Sequence, residues 1–309
     1  MKLLRPVLIL LVVALPIWLA ARYTAHGEGQ VFQLLYGHLM PHHLVTGGHG
    51  AEPAHRLLQL ELPGGFGFFD MDKAAAGNQL ILTNLQLFQA TSVLLILVCF
   101  VGVPGYLRTG RGDATSKLFA GFVTWIRDEM VVPVMGKDLG NKLLPLFLSL
   151  FFFILFMNLM GLLPGGATAT ASIFVTGGLA VITFVTMIVG GMIAQGPIAF
   201  WKNLVPHVPL ALWPLMFAVE VVGLCVKPIA LMIRLFANMT GGHLAVLTLM
   251  GLIFLFGEMN PTVGWLSSPV AVGLAVFIMI IESFVALLQA YIFTTLSIIF
   301  IHASVHPEH

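Results

Sequence analysis

Long apolar stretches separated by short polar ones make up most of the chain after about residue 85. A helix needs roughly 20 mainly apolar residues to cross a membrane. Five stretches meet that requirement: residues 85–107, 143–163, 171–194, 210–256 and 270–301. The pattern therefore predicts an all-α polytopic membrane protein with five core membrane helices.

The N-terminal part of the chain follows a different pattern. Residues 6–21 form a short apolar run behind Lys2 and Arg5, with the small residues Ala20 and Ala21 at its end. Such a segment is typical of a secretory signal, and an uncleaved membrane anchor fits the same pattern. The stretch that follows is polar and rich in Gly, Pro and His. We accordingly divide the chain into residues 1–21 (signal peptide or membrane anchor), 22–84 (external polar segment) and 85–309 (membrane domain).

Composition excludes a soluble domain. Only 9% of the residues are charged and 59% are hydrophobic, whereas soluble domains contain about 25% charged residues. The net charge of +1 and the lack of any basic run longer than a pair predict no binding of nucleic acid. Cys99 and Cys225 each lie in an apolar stretch, which predicts two buried free thiols and no disulfide framework.

The basic residues predict an orientation in the membrane. Six of them fall in the predicted loop at 108–142, and none falls in the predicted loop at 257–269. The positive-inside rule places the basic stretch in the cytoplasm. Alternation of the spans then puts residues 22–84 on the outer side and the C-terminus in the cytoplasm. Within the basic stretch, residues 115–132 mix apolar and charged side chains at helical spacing, which predicts an amphipathic helix packed on its own chain or on a partner.

The fourth apolar stretch, residues 210–256, is too long for a single perpendicular crossing. At 1.5 Å per residue it would extend about 70 Å, whereas the hydrocarbon core is about 30 Å thick. It must either break or run steeply tilted. Pro214, Pro228 and the pair Gly241–Gly242 are the places where it could bend.

The same stretch carries charged and titratable side chains, although an intramembrane arginine costs about 2.5–3.5 kcal/mol on insertion scales. Glu220, Lys227 and Arg234 are spaced seven and seven, so they share one helical face. His243 follows Arg234 by nine positions, which turns it to about the opposite face. The helix thus presents a fixed positive charge on one side and a titratable ring on the other.

The last apolar stretch supplies a second polar set. Glu282 and Gln289 lie seven positions apart on one face of a helix that is otherwise apolar. Chains of intramembrane carboxyl and histidine side chains are typical of proton relays. A static ion pair between Arg234 and Glu282 that joins two helices is the structural alternative. It would leave His243, Gln289 and Glu220 unexplained.

Three blocks of sequence carry a resemblance to a known family. They are KP at 227–228 followed by RLFANMTGGH at 234–243, FMNLMGLLP at 156–164, and LQAYIF at 288–293. Together they resemble the a subunits of F-type ATP synthases, and the resemblance extends from about residue 114 to the C-terminus. The segment before residue 85 carries no signature of this family.

The resemblance implies a function and a set of partners. Members of the family are proton-translocating stator subunits in a bacterial inner membrane or its mitochondrial equivalent. They provide two offset half-channels to a rotating c-ring and couple proton flow to ATP synthesis, together with peripheral-stalk b subunits and the rest of the synthase. The last two helices would then lie nearly horizontal against the c-ring.

The resemblance also implies roles for individual residues. Arg234 matches the essential arginine that faces the carboxylate of the ring, and Asn238 and Gln289 match its polar neighbours. Glu220 matches a carboxylate near the cytoplasmic exit. His243 and Glu282 match the path on the outer side, with an exchange: many bacterial members have Glu at the first position and His at the second. If both side chains line one half-channel, the exchange preserves the pair.

No motif predicts catalysis by this chain alone. His-Glu-x-x-His, Gly-x-Ser-x-Gly and Walker-type sequences do not occur, so nucleotide must bind on another subunit. We expect no cofactor and no metal, because the six histidines in residues 26–55 match no specific metal-site spacing. The competing hypothesis is a stand-alone secondary transporter in which Arg234 binds an anionic substrate, but we see no inverted repeat. Either H⁺ or Na⁺ is compatible with the sequence.

Overall fold

The computed structural model describes three large portions of the membrane domain, an N-terminal helix and a few short segments between that helix and the membrane domain. The described residues are 4–23, 45–46, 55–56, 59–61, 79–81, 84–163, 168–205, 208–209 and 212–306. In the polar segment these comprise two short antiparallel ladders, β1 (Val45–Thr46) with β2 (His55–Arg56) and β3 (Gln59–Glu61) with β4 (Gln79–Ile81). Most of residues 22–84, including most of the histidine-rich stretch, lies outside the described residues.

Helices make up nearly all of the rest. They are α1 (Leu4–Tyr23), α2 (Asn84–Phe100), α3 (Val103–Thr109), α4 (Ala114–Trp125), a π-helical turn (Ile126–Val131), α5 (Val132–Gly161), a 3₁₀ turn (Ala169–Ala171), α6 (Ile173–Gln195), α7 (Pro197–Asn203), α8 (Trp213–Met259) and α9 (Pro261–Val305). Within the described residues, five helical stretches are long and apolar enough to cross a membrane: Leu85–Thr109, Ala114–Gly161, Ile173–Gln195, Trp213–Met259 and Pro261–Val305. The prediction of an all-α polytopic membrane protein with five core helices is confirmed.

The long fourth stretch does not break. Helix α8 runs for 47 residues from Trp213 to Met259. Pro214 occupies its first turn, where the missing N–H costs nothing, and the helix continues on both sides of the buried Pro228. The pair Gly241–Gly242 is helical as well. The alternative in which this stretch breaks is therefore wrong, and the helix is continuous.

The prediction of a loop at 257–269 is also wrong. Helix α9 already begins at Pro261, so only Asn260 separates it from α8. The Oδ1 atom of Asn260 accepts a hydrogen bond from the backbone N–H of Thr262 at 3.0 Å, which caps α9. Proline is favourable at the first helical position for the same reason as in α8. At the joint, a Cβ on Gly264 would lie 2.6 Å from the Cα of Gly257, so the helices touch through their glycines.

The basic stretch 108–142 is helical over most of its length, contrary to its assignment as a loop. Gly110, with φ 67°, ends α3, and α4 starts four residues later. A second left-handed glycine, Gly136 (φ 74°), kinks α5 near its start, and Lys142 lies within that helix. The amphipathic helix predicted at 115–132 corresponds to α4 and the π-helical turn.

Helix α4 packs on its own chain through aromatic rings. The ring centroids of Phe119 and Phe122 lie 5.6 Å and 6.0 Å from that of Phe152 in α5. Trp125 stacks on Tyr291 at 6.0 Å. The helix therefore packs on its own chain, which was one of the two predicted alternatives. Leu118 and Trp125 nevertheless keep 58% and 41% of their surface exposed.

The contacts divide the chain into two compact units. The first contains Met1–Val98, Phe156–Ala169 and Gly241–Ser283, and the second contains Cys99–Leu155, Thr170–Thr240 and Phe284–His309. Phe88 and Met157 are fully buried in the first unit. The second unit buries the large side chains of Phe147, Phe151, Phe152, Leu231, Leu235 and Phe293. Helix α8 contributes residues 213–240 to the second unit and 241–259 to the first, and α9 contributes 261–283 to the first and 284–305 to the second.

Candidate functional site

Three polar side chains of the first unit meet and form what we term the histidine–carboxylate cluster: Thr168, His243 and Glu282. His243 projects from α8, Glu282 from α9, and Thr168 precedes the 3₁₀ turn. The Nε2 atom of His243 lies 2.6 Å from the Oγ1 atom of Thr168 and 3.6 Å from Oε1 of Glu282. One ring nitrogen is thus hydrogen-bonded to a hydroxyl and lies within ion-pair distance of a carboxylate.

Two glycines make room for this cluster. A Cβ on Gly242 would lie only 2.5 Å from Oε1 of Glu282, and a Cβ on Gly161 would lie 2.7 Å from Oγ1 of Thr168. Both distances are far shorter than a van der Waals contact, so any side chain at either position would displace the polar group. The carboxylate and the hydroxyl are therefore held against the bare backbones of α8 and α5.

The carboxylate of Glu282 is buried but poorly satisfied. The side chain is 4% exposed, and neither carboxylate oxygen accepts a hydrogen bond from any protein group that the structure describes. A buried polar group without hydrogen bonds is costly. Such a group is characteristic of a functional position rather than a structural one, because intramembrane carboxyl groups generally mark ion pathways.

A second polar contact, which we term the amide pair, lies in the second unit. The Nδ2 atom of Asn238 in α8 donates a hydrogen bond to Oε1 of Gln289 in α9 at 2.9 Å. Gln289 is 1% exposed, and its Nε2 atom has no hydrogen-bond partner among the described residues. The Nε2 amide group of Gln289 therefore remains available to donate a hydrogen bond, next to the bond between Asn238 and Gln289.

Arg234 is exposed one helical turn before Asn238. Around it the outward surface of α8 is apolar: Val226, Ile229 and Ile233 keep 52%, 47% and 51% of their surface exposed. Within the described part of its unit, no carboxylate forms an ion pair with Arg234. A fixed charge thus stands on an apolar surface that is suited to lipid or to another subunit.

The other two charged residues of the predicted face lie closer to the N-terminus of α8. Because the helix is unbroken through all three positions, the seven-residue spacing does place Glu220, Lys227 and Arg234 on one face. The Nζ atom of Lys227 lies 5.8 Å from the ring centroid of Phe300, a cation–π contact. Glu220 is partly buried.

The structure brings together some of the predicted site residues. It places His243 at ion-pair distance from Glu282 and joins Asn238 to Gln289 by a hydrogen bond. Sequence reasoning missed Thr168, which lies in an irregular segment 75 positions from His243, where no periodicity relates the two. In the described part of the chain, no group of three or more His, Cys, Asp or Glu side chains could hold a metal ion.

Comparison with known proteins yields a family and several bacterial relatives. The sequence profile of the family described as "ATP synthase A chain" matches residues 87–302. The chain is 45% identical over 196 residues to ATP synthase subunit a of Myxococcus xanthus, a match that covers 63% of each chain. It is 36% identical over 249 residues to the subunit of Chloroherpeton thalassium, covering 79% of this chain and 73% of the relative.

A third relative is matched over more of its length. ATP synthase subunit a of Rhodopseudomonas palustris strain HaA2 is 34% identical over 234 residues, which cover 75% of this chain and 92% of that protein. The chain spans a little under two thirds of the length of the Myxococcus relative. Because the family profile covers well over half of the chain and the match to Rhodopseudomonas nearly spans that relative, this chain belongs to the ATP synthase A chain family.

Proposed function

We propose that this chain is the proton-translocating stator subunit of a bacterial F-type ATP synthase. It works in the inner membrane with a rotating ring of c subunits, the peripheral-stalk b subunits and the rest of the synthase. Family membership and five apolar helices support this role. Residues 22–84 face the outer side and the C-terminus faces the cytoplasm, in accord with the distribution of basic residues.

The histidine–carboxylate cluster forms the path from the outer side in this proposal. A proton binds first at His243 or Glu282 and then passes to a carboxylate of the ring. The ring site becomes neutral, and a neutral carboxyl group can turn into lipid at low cost, whereas an ionised one cannot. The burial of Glu282 without hydrogen bonds supports this assignment, since the group can gain or lose a proton without breaking a structural network.

Arg234 acts at the other end of the cycle. When a protonated ring site arrives, the guanidinium stabilises the ionised carboxylate, and the released proton leaves past Glu220 towards the cytoplasm. Arginine suits this role because it does not lose its own proton and so blocks direct passage between the half-channels. The amide pair beside it adds fixed dipoles that carry no proton.

One observation carries this assignment: the exposed guanidinium has no ion-pair partner in the described part of its unit and stands on an apolar surface. A charge in that setting costs about 2.5–3.5 kcal/mol unless a carboxylate from another molecule approaches it. A ring of carboxylates provides that partner repeatedly. Each elementary charge moved across 100 mV yields about 2.3 kcal/mol, so several protons must pass for each ATP.

Substitution of Arg234 tests the proposal. We expect Arg234→Ala to abolish both ATP synthesis and ATP-driven proton pumping in membrane vesicles, and to make vesicles stripped of the catalytic sector leak protons. Arg234→Lys should also fail in synthesis but leak less, because an ammonium can lose its proton on a desolvated site and lacks the planar fork. Arg111→Ala, an exposed arginine in the turn before α4, is the matched control and should retain activity.

Ample synthesis by Arg234→Ala would overturn the assigned role, and ample synthesis by Arg234→Lys would show that any positive charge suffices. Purification separates the proposal from the competing one. A stator subunit should copurify with c and b subunits, whereas a stand-alone transporter that binds an anion through Arg234 should purify alone or as a homo-oligomer. The relatives described above are all ATP synthase subunits, so the transporter hypothesis has no support among them.

For the N-terminus we propose a cleaved signal peptide in residues 1–21. Helix α1 contains an apolar core at Arg5–Trp18, shorter than a membrane crossing requires and typical of the apolar region of a signal. Mass spectrometry of the purified subunit should find a mature N-terminus after about residues 20–24. A chain that retains Met1 or Lys2 would instead establish a membrane anchor.

A further inference from the structure

Thr168 belongs to none of the sequence blocks that suggested the family, yet it makes the shortest polar contact of His243. Its Oγ1 atom lies 2.6 Å from Nε2, and its side chain is 7% exposed. The carboxylate oxygen of Glu282 lies 3.6 Å from the same nitrogen, outside hydrogen-bond range. Thus the hydroxyl, and not the carboxylate, occupies the hydrogen-bonding direction of Nε2.

The position of Thr168 is fixed from two sides. Gly161, at the end of α5, lies so close that a Cβ there would be 2.7 Å from Oγ1 and 3.1 Å from both Cα and Cβ of Thr168. On the other side the hydroxyl meets the ring of His243. Thr168 therefore packs between α5 and α8, and its hydroxyl points to the ring of His243.

A hydroxyl can keep this bond while the ring changes its proton state, because it both donates and accepts hydrogen bonds. When the ring is neutral with the proton on Nδ1, the threonine O–H donates to the lone pair of Nε2. When the ring is protonated, Nε2–H donates and the threonine oxygen accepts. When Oε1 of Glu282 moves from 3.6 Å into hydrogen-bond range, the imidazolium can give it the Nε2 proton. This leaves a neutral ring and a neutral carboxyl group, and the hydroxyl turns back to donate.

We propose that Thr168 is a positioning residue for proton transfer between His243 and Glu282. Its hydroxyl holds the ring in one orientation in both proton states, so that Nε2 stays 3.6 Å from Oε1 and a small movement of the carboxylate suffices for transfer. This inference rests on the proposed proton translocation and adds a third member to the outer path. Thr168 does not itself deliver a proton to the ring of c subunits.

The test compares isosteric and conservative variants in the assembled synthase. Thr168→Val keeps the shape and removes the hydroxyl, and we expect about a five- to tenfold loss of ATP-driven proton pumping, as for a lost hydrogen bond in a dry site. Thr168→Ser keeps the hydroxyl and should retain at least about half of the wild-type rate, which a purely structural role of the methyl group would not allow. Copurification with the other subunits verifies assembly in each case.

Thr91→Val is the matched control. Thr91 is also 7% exposed and lies in the same unit, but its hydroxyl donates only to the carbonyl oxygen of Leu87 in its own helix. We expect pumping by this variant to equal that of the wild type. If Thr168→Val fails to assemble, Thr168→Cys replaces it, because a thiol is similar in size and a weak hydrogen-bond donor, and it should show the same loss.

Two results would overturn the inference: a hydroxyl-free variant that pumps as fast as Thr91→Val, or a serine variant as slow as the valine variant. Failure of the proposed function gives a different pattern. In that case the wild-type complex itself would not pump protons, or Arg234→Ala would pump as well as the wild type. If the wild type pumps, Arg234→Ala is inactive and Thr168→Val is fully active, the role of Thr168 is refuted and the proposed function is not.

Discussion

The histidine–carboxylate cluster and the amide pair each contain one side chain from α8 and one from α9, but they differ in chemistry and in steric fit. The cluster contains two groups that can change their proton state, and it lies so close to Gly161 and Gly242 that a side chain at either position would collide with it. The amide pair contains none, and it is held by one hydrogen bond of 2.9 Å with a spare donor beside it.

This difference follows from what each pair has to do in the proposed cycle. Groups that exchange protons need a separation that stays constant while their charges change, and tight steric contact supplies it. Amides beside a permanent guanidinium only need to present dipoles, and their charge never changes. We therefore expect substitutions in the cluster to affect transport more strongly than substitutions in the amide pair.

The largest effect in this comparison should come from removal of the titratable groups. We expect His243→Ala and Glu282→Ala each to lower ATP-driven pumping at least several-fold with assembly preserved, because each deletes a proton-binding step. Fluorescence quenching of a pH-sensitive dye in inverted vesicles measures the rate. Ser283→Ala is the control, since Ser283 is exposed and its hydroxyl donates to the carbonyl oxygen of Met279 in its own helix. Wild-type rates in both variants would remove the cluster from the path.

The steric fit of the cluster gives the second prediction. In Gly242→Ala the new methyl group would collide with the carboxylate of Glu282, so we expect several-fold slower pumping in the same assay. The added change Glu282→Asp shortens the acid by one methylene and should recover part of the rate. Gly241→Ala is the matched control, because a Cβ there meets nothing within 4 Å. Equal rates for the two alanine variants would show that contact with Glu282 is unimportant.

The smallest effects should come from the amide pair. Asn238→Ala leaves the buried amide of Gln289 without its partner, whereas Gln289→Leu leaves only the exposed Asn238 unpaired. Since an orphaned buried polar group costs about 1–3 kcal/mol, we expect Asn238→Ala to lower the thermal midpoint of the purified complex more than Gln289→Leu does. Both should reduce pumping by about two- to threefold. A loss as large as that of Glu282→Ala would abolish the distinction between the two regions.

Much of this architecture could be predicted from the sequence because burial in lipid requires continuous apolar runs. The five helices follow from those runs. The pairing of His243 with Glu282 was implied by the resemblance to the a subunits of F-type ATP synthases. The ends of the helices were harder to predict from the sequence. Polar residues around Asn260 suggested a loop, whereas the cap at Asn260 and the proline at position 261 start a helix at once.

Contacts that depend on shape rather than on pattern could not be predicted. Thr168 meets His243 across 75 positions of the sequence, and no spacing rule relates the two positions. The contact between Gly242 and Glu282 likewise depends on how closely α8 and α9 approach each other. Sequence alone identifies which polar groups are unusual, and three-dimensional packing decides which of them touch.

The single-residue joint at Asn260 fixes the register of α9, the helix that follows it. With Gly257 and Gly264 in contact at the joint, the position of Glu282 is set by the number of residues from there onward. One inserted residue would turn the rest of α9 by about 100° and carry the carboxylate away from His243. Between the joint and Glu282, the chain can therefore exchange one apolar side chain for another, but it cannot gain or lose a residue.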